Sequence, residues 1–221
     1  GQPSYQFYRN GTAERQITRA GLASLHDALP WVIHTGSLAI SGGDDASLWE
    51  EVFIDCHERG VITSLDPNIR PALIADRESY LERFERMAAH ADIIKLSDED
   101  FAWLYPGIEP EKALDHLAGI AGDSLIVLTS GEGGSHGRSV TASAPCPVYP
   151  ARKLIDTVGA GDTFMASMLA WLNENEFTAR QDIVTLDESG LLAMLRWASR
   201  AASLNFERPG CNPPYTAEIH P

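Results

Sequence analysis

The fold is decided by one stretch of sequence, residues 156–164, which reads DTVGAGDTF. Its two glycines, Gly159 and Gly161, flank Ala160 and let the backbone turn tightly and approach a ligand closely. A helical pattern of apolar residues follows at once, so we expect a helix to begin here. The first N–H groups of a helix have no internal partner and carry the positive end of its dipole. The segment therefore predicts a site for an anion such as a phosphoryl group, with the Asp162 carboxylate beside it.

The position of Asp162 suggests a catalytic role. Phosphoryl transfer passes through a loose transition state and needs mostly positioning and charge stabilisation, so a weak base suffices. We therefore predict that Asp162 activates a hydroxyl group for attack on phosphorus. The alternative is an ordinary acidic residue in a first helical turn, because short glycine motifs also occur by chance.

Outward from this segment, short apolar strands alternate with helical patterns. The predicted strands cover residues 2–9, 31–35, 61–65, 92–96 and 125–129, with further short strands before residue 150. The predicted helices cover residues 45–59, 78–90, 110–121, 159–173 and 188–206, and another begins at residue 97. Such alternation indicates a parallel sheet covered by helices on both faces. Ligands of these sheets bind at the carboxyl ends of the strands. The ends to inspect are residues 36, 66–70, 96–97, 129–134 and 156–162.

Composition narrows the class of protein. The 221 residues are 44% apolar and 22% charged, with a formal net charge of −14. Such a surface repels nucleic acids and anionic membranes, so neither is an expected partner. The three cysteines, Cys56, Cys146 and Cys211, lack the spacing of a zinc site and are expected to be reduced thiols of a cytoplasmic protein. No apolar run approaches the roughly 18 residues of a membrane span, and no signal peptide is visible.

Several motifs resemble, in order, those of the ribokinase-like (PfkB) carbohydrate kinases. Residues 156–164 are similar to the C-terminal signature of that family almost letter for letter. The other matches are FYRNGTA at 7–13, DPNIRP at 66–71, KLSDED at 95–100, TSGEGG at 129–134 and RPG at 208–210. Together these ordered matches are far more specific than any one short motif.

The resemblance implies a fold. It is a three-layer α/β/α sandwich with a mainly parallel sheet, plus the remnant of a small β lid over the sugar. Residues 1–20 would belong to the lid and its return to the core, and residues 21–221 to the kinase core. Because the matches begin at the lid, we expect an upstream segment with further sugar contacts. The lid is also where a homodimer would form.

The resemblance also implies roles for individual residues, with ATP, Mg²⁺ and K⁺ as cofactors. Asp162 would be the base, and the anion hole would comprise Gly159, Ala160 and Gly161. The sugar would contact Asn68, Arg70 and Arg9. The nucleotide would contact Thr129, Gly131, Gly134 and Asn205. Mg²⁺ is assigned to Asp100, which is one methylene shorter than the usual Glu, and a monovalent cation to Asp156, Val158 and Gly210.

Each of these residues also has an alternative, purely structural interpretation. Arg70 would otherwise form a surface ion pair, since most arginines are exposed. Asn68 would bond its own turn, and Asn205 would be a solvated residue at a helix end. Asp100 would be a first-turn carboxylate, and Arg9 would lie on a strand that packs or dimerises.

The expected activity is that of an ATP-dependent sugar kinase. Within the family, residues 7–9 and 66–71 are most similar to fructokinases. The alternatives are a 2-keto-3-deoxygluconate kinase, which shares the arginine motif, and a non-catalytic sugar-binding relative. A nicotinamide oxidoreductase is excluded, because no Gly-x-Gly-x-x-Gly follows the first strand with an acidic residue about 20 positions later.

Overall fold

The computed structural model describes residues 7–9, 11–22 and 28–219. In this part of the chain, six strands form a single sheet, and their order in the sheet is their order in the sequence. They are β1 (Val32–Gly36), β2 (Ile62–Asp66), β3 (Ile93–Ser97), β4 (Leu125–Thr129), β5 (Ser135–Arg138) and β6 (Ser143–Cys146). The first four strands pair in parallel, and the last two add antiparallel. The mainly parallel sheet predicted from the sequence is confirmed.

Helices connect the parallel strands and cover the sheet. They are α1 (Arg19–Leu22), α2 (Asp44–Glu58), α3 (Arg77–Ala88), α4 (Asp98–Leu104), α5 (Ala113–Ala121), α6 (Ala160–Glu174), α7 (Arg180–Val184), α8 (Glu188–Phe206) and α9 (Thr216–Ile219). The long predicted helices are all present, although α5 begins only after a 3-10 turn over Pro110–Lys112. Across the described ranges, no helix has both the length and the apolar character that crossing a membrane requires.

Two separate apolar cores lie on the two faces of the sheet. In β3, Ile94 faces a core that includes Phe53 of α2 and Phe84 of α3. Its neighbour Ile93 faces the opposite core, which includes Phe164 of α6 and helix α8. This alternation follows from the pleat, because successive side chains of a strand point to opposite faces. The three-layer α/β/α arrangement is therefore confirmed.

The predicted lid lies partly outside the described residues. The strand expected over residues 2–9 is described only at 7–9, and those three residues are not part of a strand. Residues Ala13–Arg15 form a short 3-10 helix instead. The division into a lid over residues 1–20 and a core over residues 21–221 therefore stays a prediction.

Candidate active site

The turn before α6 is built to leave backbone N–H groups free. Gly159 caps the helix with φ of 75°, a left-handed conformation, and offers no side-chain acceptor. A Cβ at this residue would lie 2.2 Å from Sγ of Cys211, so only glycine fits. Among the described residues, no acceptor pairs with the amides of Gly161 and Asp162, whereas Thr163 N donates to Gly159 O at 2.8 Å. The first turn of α6 therefore presents two unpaired donors and the positive end of a 15-residue helix.

These donors line a cavity of about 340 Å³ above the turn. Asn68 and Arg70 of the loop after β2 form the opposite wall. The cavity thus combines a positive helix end with a guanidinium group, which suits a phosphorylated ligand.

Two further cavities adjoin this one on either side. A cavity of about 270 Å³ shares Asn68 and Asp162 with it and extends along the ends of β1 and β2. Its walls include His34, Gly36, Ser37, Trp49 and Asp66. A narrower cavity of about 140 Å³ shares Ala160 and Gly161 and lies between β4 and α8. Its walls include Thr129, Gly131, Gly134, Val148 and Phe206. The Gly159–Asp162 turn therefore lies between the cavity at the ends of β1 and β2 and the mainly apolar cleft between β4 and α8.

The Asp162 carboxylate is exposed and lies between the cavities. Its Oδ1 accepts a hydrogen bond from Nδ2 of Asn68 at 3.2 Å. Arg70 Nη1 in turn donates to Oδ1 of Asn68 at 2.8 Å and to the carbonyl oxygen of Ile69. Asn68 has φ of 37°, a conformation that non-glycine residues rarely adopt. The loop after β2 thus orients the carboxylate without sealing it from the cavities.

A buried ion pair supports the site from below. Lys95 and Asp66 are each 4% exposed, and Lys95 Nζ donates to Asp66 Oδ2 at 2.9 Å. Burial raises the pKa of Asp66 to about 6, although the Lys95 ammonium acts against this rise. On the neighbouring strand β1, His34 Nδ1 shares a hydrogen bond of 3.0 Å with Ser64 Oγ. Desolvation and the Lys95 charge lower the pKa of His34, against the pull of Asp162. His34 therefore favours its neutral form.

The residues predicted to contact the nucleotide divide into two groups. Thr129, Gly131 and Gly134 come together on the narrow cavity. Gly134 is required there, because a Cβ would lie 2.3 Å from the carbonyl oxygen of Cys146. Asn205 is fully buried and does not belong to the walls of that cavity.

Asn205 instead braces the turn of the anion hole. Its Nδ2 donates to the carbonyl oxygen of Val158 at 2.8 Å, and its Oδ1 accepts from Asn212 N at 2.9 Å. The alternative reading, a solvated residue at a helix end, does not match this burial. A direct contact of Asn205 with the nucleotide stays a prediction.

Asp100 closes a capping box at the start of α4. Its Oδ2 accepts hydrogen bonds from N and Oγ of Ser97, and its Oδ1 accepts one from Ile69 N at 2.8 Å. The residue is only 8% exposed. These contacts fit a residue that fixes the loop carrying Asn68 and Arg70. The link of Asp100 to Mg²⁺ and its waters stays a prediction.

The three residues assigned to a monovalent cation come together. Asp156 accepts hydrogen bonds from Val158 N at 3.0 Å and from Gly210 N at 2.9 Å. These backbone donors hold the pKa of Asp156 below its usual value. The carboxylate thereby ties the α6 turn to the loop after α8, and the cation itself stays a prediction.

Arg9 is not brought to the three cavities. Its guanidinium donates to Glu14, to Ser41 Oγ at 2.6 Å and to the carbonyl oxygen of Leu38 at 3.1 Å. Its neighbour Phe7 does line the cavity above the turn. The predicted contact between Arg9 and the substrate stays untested.

Several residues that line or support the site had no role predicted from the sequence: His34, Ser37, Trp49, Lys95 and Cys211. Two of them carried a usable signal. His34 and Lys95 are single polar residues inside apolar strands, at the ends that the strand rule marks. Trp49 and Cys211 reach the cavities through tertiary packing and had no comparable signal.

Comparison with known proteins indicates the family of this chain. The model of the pfkB family of carbohydrate kinases matches residues 5–218. A fructokinase of Rhizobium leguminosarum bv. trifolii is 37% identical over 196 residues, which is 86% of this chain and 57% of that protein. A probable fructokinase-5 of Arabidopsis thaliana is 27% identical and covers 96% of this chain and 64% of its own length.

A solved structure shows the same likeness in three dimensions. Fructokinase with bound ATP from Xylella fastidiosa has a TM-score of 0.81 at 26% identity, over 94% of this chain and 65% of that one. This chain spans less than two thirds of the length of each of these three relatives. Since the family model covers nearly the whole sequence and the sheet agrees with the solved relative, the chain belongs to the pfkB family of carbohydrate kinases.

Proposed function

We propose that this chain carries the phosphoryl-transfer site of an ATP-dependent fructokinase, which converts ATP and D-fructose into ADP and fructose 6-phosphate. The observation that carries the proposal is the position of Asp162, exposed where the cavity at the ends of β1 and β2 meets the first amides of α6, which have no acceptor among the described residues. The names of the relatives, fructokinases at 37% and 27% identity, support fructose as the acceptor. The bound ATP of the Xylella fastidiosa fructokinase supports ATP as the donor.

In the proposed reaction, Asp162 acts as the general base. It accepts the proton of the sugar hydroxyl while the hydroxyl oxygen bonds to the γ-phosphorus. The bond between that phosphorus and the bridging oxygen breaks, and its electron pair leaves with ADP. The hydrogen bond from Asn68 keeps the carboxylate oriented toward the cavity in which the sugar would lie.

The amides of the α6 turn would stabilise the migrating phosphoryl group. The N–H groups of Gly161 and Asp162 have no acceptor within the described ranges, so they need no rearrangement to receive its oxygens. Donors fixed in advance in this way stabilise developing charge without reorganisation. A Mg²⁺ ion that arrives with ATP would neutralise phosphate charge, as phosphoryl transfer generally requires. Asp100 is not proposed as its direct ligand.

The nucleotide would occupy the cleft between β4 and α8. Its walls combine Val148, Phe164 and Phe206 with the glycine loop after β4, which suits a flat apolar base with a polar tail. The cleft shares Ala160 and Gly161 with the cavity above the turn, so the phosphates would point toward Asp162.

The cavity at the ends of β1 and β2 favours a neutral sugar over a sugar acid. It is lined by the carboxyl groups of Asp66 and Asp162, and His34 beside them favours its neutral form. The charge of Asp66 is paired with Lys95, so a substrate carboxylate in this cavity would meet the like charge of Asp162. Fructose is therefore favoured over 2-keto-3-deoxygluconate as the acceptor.

A sugar panel with coupled detection of ADP tests the proposal. We expect turnover with fructose to exceed turnover with 2-keto-3-deoxygluconate, glucose and ribose. Turnover with the keto acid alone would replace the proposed substrate. ATP binding without turnover on any sugar would favour the non-catalytic relative.

Two finer points remain proposals with their own measurements. If Asp156, Val158 and Gly210 hold a monovalent cation, activity in potassium chloride will exceed activity in choline chloride at equal ionic strength.

If the lid region makes a homodimer, analytical ultracentrifugation will give twice the mass of the chain. We also propose that the protein acts in the cytoplasm.

A further inference from the structure

The Lys95–Asp66 pair has no part in the chemistry proposed above, yet it lies directly under the catalytic turn. Both residues lie on the sheet face covered by α6, near the carboxyl ends of the adjacent central strands β2 and β3. Their side chains are 6% and 4% exposed. Two buried charges at this point require an explanation.

The ammonium group of Lys95 lies against the backbone of the anion hole. A Cβ built on Gly161 would be 3.4 Å from Lys95 Nζ, and no other described residue outside its own helix and neighbours would come within 4 Å of it. Because residue 161 is a glycine, no side chain separates the ammonium from the turn. A positive charge behind this turn adds to the positive end of the α6 dipole.

Asp66 holds the ammonium in place at a cost to the fold. Its Oδ2 accepts the hydrogen bond from Lys95, while its Oδ1 is buried and has no partner among the described residues. An unpaired buried oxygen is unfavourable, and a buried ion pair is often no more stable than apolar residues of the same volume. Stability alone therefore does not account for the pair.

We propose that Lys95, fixed by Asp66, is a positioning residue that maintains positive potential behind the Gly159–Asp162 turn and so favours the terminal phosphates of ATP. The inference rests on the proposed function, since it assigns the turn to those phosphates. The adenosine end of the nucleotide lies in the cleft of Val148 and Phe206, away from the ammonium. The pair should therefore act on phosphate binding and transfer, and not on binding of the adenosine end.

The double variant Asp66→Asn with Lys95→Met separates this role from a structural one. It removes both buried charges together and keeps similar volumes, so the melting temperature should stay near that of the wild type. ATP affinity, measured by calorimetry, should fall about tenfold, and kcat by about tenfold or more. Adenosine affinity should stay within about twofold, because adenosine carries no phosphate to meet the ammonium.

Two matched variants complete the design. Lys95→Arg keeps the charge and should recover ATP affinity relative to Lys95→Met. Arg180→Met removes the cation paired with buried Asp92 at the opposite edge of the sheet. It should lower the melting temperature and leave ATP affinity unchanged.

The outcomes distinguish the inference from the proposed function. If the wild type binds ATP and the double variant binds and turns over equally well, the pair is only structural and the inference is wrong. If the wild type binds no ATP, the proposed function itself is wrong. Loss of ATP affinity in the folded double variant, with adenosine affinity intact, supports the inference.

Discussion

The parallel strands begin at one side of the sheet, the amino edge, and end at the other, the carboxyl edge. Each of these edges holds a buried aspartate paired with a cation, but the remaining contacts of the two aspartates differ. At the amino edge, Asp92 accepts hydrogen bonds from N and Oγ1 of Thr63 and also pairs with Arg180 and His57. At the carboxyl edge, Asp66 pairs with Lys95, and its other oxygen has no partner in the described part of the chain.

This difference distinguishes an ion pair that stabilises the fold from one that lies at the functional site. A buried carboxylate whose two oxygens both have partners joins elements, here β2, β3 and α7, and rigidifies them. An incompletely satisfied group next to a cavity is a typical mark of a functional site. The amino edge of this sheet is therefore structural, and the carboxyl edge holds the site. Changes at the two edges should have different consequences.

The largest effect is expected from Gly36→Ala at the carboxyl edge. A Cβ on Gly36 would lie 1.7 Å from the carbonyl oxygen of Asp66, so β1 and β2 would have to separate. We expect a loss of about 4 kcal/mol or more in unfolding free energy. Urea denaturation followed by circular dichroism measures this loss.

Gly60→Ala is the matched control. Gly60, with φ of 85°, precedes β2 at the other edge, and a Cβ there would meet no atom within 4 Å. Only the left-handed conformation opposes alanine, so the expected loss is about 1 kcal/mol. Equal losses for both glycines would contradict the close approach of β1 to β2.

Asp92→Ala should unfold the amino edge without affecting catalysis. The variant leaves the Thr63 amide and the Arg180 guanidinium without their acceptor. The Arg180 side chain is 39% exposed and can be hydrated, so the main cost is the unsatisfied Thr63 amide, about 3 kcal/mol. The kcat per folded molecule, measured below the new melting temperature, should equal that of the wild type. A lower kcat would show that the amino edge contributes to the site.

Asp66 should make stability fall as pH rises. Burial raises its pKa from 3.8 to about 6, so the folded state binds more protons than the unfolded state between these values. Unfolding free energy should therefore decrease through this window by up to about 3 kcal/mol. Urea titrations of the wild type and Asp66→Asn between pH 4 and 7 isolate this contribution as a difference. A difference that does not change with pH would contradict it.

His57 at the amino edge should show a smaller effect of opposite sign. Burial lowers its pKa, with Arg180 and His90 acting in the same direction and Asp92 against it. The neutral ring is thus favoured in the folded state, and its contribution is lost as pH falls below its ordinary value of about 6.5. Because the ring is partly exposed, the effect should be less than about 1 kcal/mol. Comparing His57→Gln with the wild type at pH 5 and 7 tests it.

Local sequence patterns were enough to predict the sheet and the turn. The strand over residues 125–129 and the helix over residues 188–206 have the predicted bounds. The turn at Gly159 could be recognised because its chemistry is contained in consecutive residues. The rule that ligands bind at strand ends also predicted the correct edge of the sheet, where Asn68, Arg70 and Asp162 line one cavity.

Contacts between distant segments could not be predicted in this way. Asn205 braces Val158 across 47 residues, and Asp100 fixes Ile69 across 31. Both residue types suit ligand binding and structural hydrogen bonding equally well. Their partners are set by how α8 and α4 pack on the sheet, so their contacts emerged only with the fold.

The most direct test of the account compares Asp162→Asn with the wild type in ADP release with fructose, while a thiol reagent reports ATP binding. Cys211 is exposed and lines the cavity above the turn, whereas Cys56 and Cys146 are buried, so alkylation of Cys211 reports occupancy of that cavity. We predict that turnover falls by about a thousandfold, and that ATP still protects Cys211 in the variant. Turnover within a few-fold of the wild type would contradict the assignment of Asp162 as the base.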